Sequence, residues 1–143
     1  MKYRVELKST FDGDENGRAP ILESINYAIN EYCRNHKGYI TKHDSLYDYR
    51  YDTIQSDYNT IDERGICGIA TGSRIEDDKI FVTMEIGDNV EVPEKCICFY
   101  RAKMSSSTIG GVLDTIQILA IDLIEIRPSD NIPDENLSII TTE

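Results

Sequence analysis

Gly65-Ile66-Cys67-Gly68-Ile69-Ala70-Thr71-Gly72-Ser73-Arg74-Ile75-Glu76-Asp77-Asp78-Lys79-Ile80-Phe81-Val82-Thr83-Met84-Glu85-Ile86 carries β-type residues on both sides of an acidic Glu76-Asp77-Asp78. That spacing predicts two strands, 65–75 and 79–86, joined by a short turn. Toward the C-terminus a third strand is predicted over 95–104, a small-residue turn over 105–111 and a fourth strand over 115–126. Pro128 and Pro133 then end regular structure and leave a polar tail, 130–143. Toward the N-terminus, residues 3–9 alternate Tyr3, Val5, Leu7 against Arg4, Glu6, Lys8, the period of a half-buried strand. Ile21, Leu22, Ile25, Ala28, Ile29 and Tyr32 recur at helical spacing after Pro20, and His36, Lys37 and Gly38 supply a C-terminal stop. The stretch 44–62, rich in Tyr and Asp, reads as an irregular loop or an edge strand with its tyrosines in a row. The order predicts an α+β fold: a mainly antiparallel sheet or small barrel, with one prominent helix in the N-terminal half. One domain is expected over 1–129, followed by the tail.

The 143 residues include 15 Lys and Arg against 26 Asp and Glu, a net charge of −11. Such a surface repels phosphate backbones and anionic lipids, so no nucleic-acid partner is expected. The longest apolar run, 116–126, is broken by Gln117, Asp122 and Glu125 and falls short of a membrane span, so no membrane partner is expected either. The opening residues Met1-Lys2-Tyr3-Arg4-Val5-Glu6 lack the apolar core of a signal peptide, which predicts retention in the cytoplasm. Cys33, Cys67, Cys96 and Cys98 include no C-x-x-C pair. The two thiols of Cys96-Ile97-Cys98 are read as pointing to opposite faces of a strand, a poor metal clamp, so reduced buried thiols are expected and no metal or cofactor. Asp12, Asp14 and Asn16 offer a partial calcium-loop pattern, but Glu23, at its twelfth position, falls after Pro20 has already started the helix.

Candidate chemistry is sparse. His36 belongs to the last turn of the helix, whereas His43 is read in a loop without an apolar face. Ser105-Ser106-Ser107 runs into Ile109-Gly110-Gly111, whose backbone amides could face an oxyanion. Asp122 or Glu125 on the following strand could orient a base. His43, with Ser105 or Ser106 and Asp122 or Glu125, is therefore a chemically sufficient set.

The order of these pieces resembles the prohead maturation proteases of tailed phages, serine endopeptidases related in fold to the herpesvirus assemblins. Glu15-Asn16-Gly17-Arg18 stands before the helix, and Gly38-Tyr39-Ile40-Thr41-Lys42-His43-Asp44 is similar to the family's histidine segment. The hairpin 73–82 and Lys103-Met104-Ser105-Ser106-Ser107-Thr108-Ile109-Gly110 follow in family order. Ile121-Asp122-Leu123-Ile124-Glu125-Ile126-Arg127-Pro128-Ser129 closes the likeness, which covers about 3–129. The resemblance implies Ser105 as nucleophile, His43 as base and Asp122 as its orienting acid, with capsid and scaffold polypeptides as substrates. It also implies repeated copies in a symmetric assembly, located in the host cytoplasm during assembly and then in the prohead or virion.

Ser107 and Thr108 stand where the family carries arginine and glycine, and Asp44 stands where it carries proline. Those departures fall on the chemistry and predict either a serine endopeptidase or a retired enzyme serving as an auxiliary capsid subunit. The acidity alone predicts a third role, a small inhibitor or immunity protein of a basic enzyme.

Overall fold

Residues 1–8, 20–107 and 113–143 are described in a computed structural model of the chain. Its strands are β1 (Lys2–Glu6), β2 (Tyr39–His43), β3 (Ile66–Glu76), β4 (Lys79–Ile86), β5 (Cys96–Ser105), β6 (Thr115–Glu125) and β7 (Ile140–Thr142), with the helix α1 at Leu22–Asn35. They form one sheet in the order β5-β6-β2-β3-β4-β1-β7, and the fold is α+β. Every pairing is antiparallel except β2 with β6. The end of β1 also reaches β5: Leu7 bridges Cys98, and the Lys8 N–H donates to the Cys98 carbonyl at 2.7 Å. That contact closes the sheet on itself at one point and covers part of an edge that would otherwise be free to pair.

The expected hairpin is present, β3 and β4 joined by a two-residue turn. Asp77 and Asp78 both take positive φ, 51° and 61°, the geometry that matches strand twist in a tight hairpin. The helix runs as its apolar spacing predicts, burying Ile25, Ala28, Ile29 and Tyr32 against the sheet. After it Gly38 adopts φ +65°, and an added Cβ would stand 2.5 Å from the Ala70 carbonyl oxygen, so only glycine fits there.

Three expectations are corrected. The stretch 44–62 is no strand, and it is irregular only at 44–45 and 57–62. Ser45 caps one α-helical turn, Leu46–Asp48, by accepting from the Asp48 N–H, and a π-helical run, Tyr49–Ser56, continues it. The alternating tyrosines suggested a strand, but Leu46 and Tyr49 are the buried residues, three apart, and they pack with Ile97, Ile124 and Ile126. The tail 130–143 does not hang free. Its last strand pairs with β1, and Ser138 hydrogen-bonds the backbone of Cys96 and Cys98 on β5. Cys96 and Cys98 do not face opposite ways; they share one core with Ile121 and Leu123, because residues two apart on a strand point to the same side.

The four thiols remain free, and burial pushes those of Cys67 and Cys96 up to about 11, leaving them protonated at neutral pH. Among the described residues no group of His, Cys, Asp and Glu could hold a metal ion, and no helix is long and apolar enough to cross a membrane. The 12–17 loop, Ile109, Gly110 and Gly111 lie outside the described residues.

Candidate functional site

β2 enters the middle of the sheet, and its neighbours decide what His43 meets. Thr41 pairs with Asp122 and His43 with Ile124, so β6 runs parallel beside the histidine. His43 therefore ends a strand rather than sitting in a loop, and its side chain is only 16% exposed. Its Nε2 lies 3.0 Å from Asp122 Oδ1 and donates to that carboxylate oxygen, so Nε2 and not Nδ1 is the nitrogen on the acid. A hydrolase triad uses the opposite arrangement, with Nδ1–H on the acid and Nε2 facing the nucleophile.

Asp122 is wholly buried, and four donors meet it. Oδ1 accepts from His43 and from Arg101 Nη2 at 3.0 Å; Oδ2 accepts from Arg101 Nε at 2.7 Å and from the Tyr49 hydroxyl at 2.9 Å. Burial alone would push this carboxyl up. Hydrogen bonds from His43 and Arg101, together with the guanidinium charge, outweigh that and hold it below the ordinary carboxylate range. Burial, and then the Asp122 charge, push the Tyr49 hydroxyl well up, so it stays a donor.

Arg101 is as buried as its partner, 1% exposed. Its Nη1 turns the other way and reaches the carbonyls of Asp57, Tyr58 and Thr60 at 3.1, 3.0 and 2.7 Å. The Tyr58 hydroxyl binds both the N–H and the carbonyl of Ala102 at 2.9 Å. This happens where a bulge between Arg101 and Ala102 interrupts the ladder to β6. The 44–64 segment is thus tied onto the sheet by the Arg101 guanidinium and by two phenols, those of Tyr49 and Tyr58. Arg101, Tyr49 and Tyr58 escaped the sequence reading. A usable signal was present: Arg101 follows the uncharged run 96–100 and Asp122 stands inside the apolar run 118–124, opposite charges set within apolar stretches of two strands.

The remaining candidates lie elsewhere. Ser105 sits opposite Thr115 at the far end of β6, whereas His43 sits opposite Ile124. The separation along the strand is roughly 30 Å at about 3.3 Å per residue, far beyond proton-transfer reach. Ser105 is therefore corrected as a partner of His43, and Ser106, the next residue, lies at the same end. Glu125 points away from Asp122 and pairs with Arg127 at 3.8 Å. The structure brings His43 and Asp122 together and leaves the serines apart from them.

A cleft of about 600 Å³ opens over His43, between β2 and the 52–65 stretch, with Asp57, Glu63 and Thr41 in its wall. The Thr41 hydroxyl is buried without a hydrogen-bond partner among the described residues. No family model matches the chain, no curated protein matches it, and no solved structure matches it.

Proposed function

We propose that the chain is a non-hydrolytic contact protein of phage capsid assembly, an auxiliary subunit on a prohead-protease-like fold. In this role it meets capsid and scaffold polypeptides in repeated copies, in the host cytoplasm and then in the prohead or virion. The observation that carries the non-hydrolytic reading is the separation of Ser105 from His43, with Asp122 committed to Arg101 and Tyr49. Serine-dependent hydrolysis needs the hydroxyl within about 3 Å of its base, and these strands keep Ser105 and His43 apart. The capsid setting is supported by the ordered likeness of the segments from 15 to 129.

Intact-mass spectrometry of wild type beside Ser105→Ala, each incubated with a serine-directed fluorophosphonate, tests the first half. The expected result is no adduct and no self-trimming in either protein. An adduct on wild type that Ser105→Ala abolishes overturns it. A second reading, an acidic inhibitor of a basic enzyme, is favoured by the six carboxylates and two guanidiniums of 44–64. Native mass spectrometry separates the two: repeated copies support the capsid role, and a strict one-to-one complex with a basic enzyme supports the inhibitor.

A further inference from the structure

The face of the 44–64 segment turned away from the sheet is exposed in a particular way. Tyr47 and Tyr51, one turn apart, are 67% and 48% exposed, and their rings lie against each other with centroids 4.5 Å apart. Asp48 and Asp52, each the next residue along, are exposed beside them, and Asp57 is exposed at the adjoining cleft. Among the described residues, Asp48, Asp52 and Asp57 make no ion pair; Asp44 is held by Lys42 at 3.5 Å and Asp62 by Arg64 at 3.1 Å. Arg50 is the one cation on the same helical run. Two large ring surfaces therefore remain in water next to uncompensated carboxylates, on a segment whose inner side is fixed by Arg101 and Tyr58.

We infer that this face docks an arginine-bearing segment of a partner protein. A guanidinium plane stacks on an exposed ring while its donors form paired hydrogen bonds to a neighbouring carboxylate, a combination that suits arginine better than lysine. The fixed backbone beneath reduces the ordering that binding demands. The acidity of the segment gives charge complementarity, and the tyrosine pair gives it a location. This deepens the contact-protein reading and rests on it, by naming the face and the partner's chemistry.

The probe is a fluorescein-labelled peptide of alternating arginine and glycine, with the lysine–glycine peptide beside it, followed by anisotropy at physiological salt. Tyr47→Ala/Tyr51→Ala leaves net charge unchanged and is expected to weaken arginine-peptide binding about tenfold or more, while Tyr47→Phe/Tyr51→Phe retains it. Asp77→Asn/Asp78→Asn, on the distant hairpin turn, is expected to change affinity less than about twofold, as screening separates it from the face. Asp48→Asn/Asp52→Asn is expected to weaken it by several-fold more than that control, and the lysine peptide is expected to bind more weakly than the arginine one.

Wild-type-like binding by Tyr47→Ala/Tyr51→Ala, equal losses in the two aspartate variants, or no binding by wild type overturns the inference. So does a concentration-dependent dimer of the chain that the tyrosine-to-alanine pair abolishes, since the face then belongs to a second copy. Because the fluorophosphonate reaction does not involve this face, failure of the docking inference and failure of the non-hydrolytic reading give different results.

Discussion

On the side of the sheet covered by α1, Ile29, Ile40, Ile121 and Leu123 interlock with their neighbours without a charge among them. On the other side, between Ile121 and Leu123 of β6 and next to Tyr100 of β5, Asp122 and Arg101 are buried just as deeply beneath 44–64. The apolar side gains stability in rough proportion to the area removed from water and tolerates changes of shape. The polar side depends on every donor finding its acceptor, since a buried charge left alone is worse than none. His43 with Asp122, a pair that looks catalytic, therefore belongs to an anchoring network.

Removing one member from each side separates the two kinds of burial most strongly. Arg101→Met is expected to lose about 3–5 kcal/mol in urea denaturation, because it strands Asp122 and three carbonyls. Ile29→Ala is expected to lose about 2–4 kcal/mol through the lost packing and the cavity left behind. Arg101→Met/Asp122→Asn should recover part of the first loss, and a loss under about 1 kcal/mol for Arg101→Met would show that the network does not anchor the segment.

Acid acts on the polar side alone through Asp122. The folded-state carboxyl of Asp122 lies below its ordinary range, so its contribution is present above the unfolded value, about pH 4, and lost as pH falls through the folded value. Wild type and Ile29→Ala should therefore both lose stability steeply below about pH 4. Asp122→Asn, weaker at neutral pH, should show a shallower fall across the same window in thermal melts. An identical acid limb in all three proteins would place the linkage on other carboxylates.

The smallest effect lies away from both sides. The turn at Asp77-Asp78 holds two non-glycine residues at positive φ. Asp77→Asn/Asp78→Gly is expected to raise stability by about 0.5–1 kcal/mol, measured by the same denaturation, without altering the acid limb.

Much of this architecture was legible locally. The β3–β4 hairpin announced itself through strand-type residues around an acidic turn, and α1 through its apolar stripe and the Gly38 stop. β2 did not, because five residues with two buried positions give too short a pattern, and its place is set by β6 far along the chain. The same non-local dependence defeated the serine assignment. Ser105 and Asp122 lie on neighbouring antiparallel strands, but one is at the end of the β5–β6 pairing and the other is seven residues along it. Composition and order supply the residue types for a triad, whereas strand register decides whether they meet. The Arg101–Asp122 pair was legible in principle, since opposite charges set within the apolar stretches 96–100 and 118–124 signal mutual burial.

Arg101 holds three carbonyls, those of Asp57, Tyr58 and Thr60, with two protons of one nitrogen. Releasing that grip frees all three at once, while the helical run before them keeps its own footing through Leu46 and Tyr49. In hydrogen-exchange terms, the stretch 57–60 then opens as one unit, set apart from the helical residues 46–56.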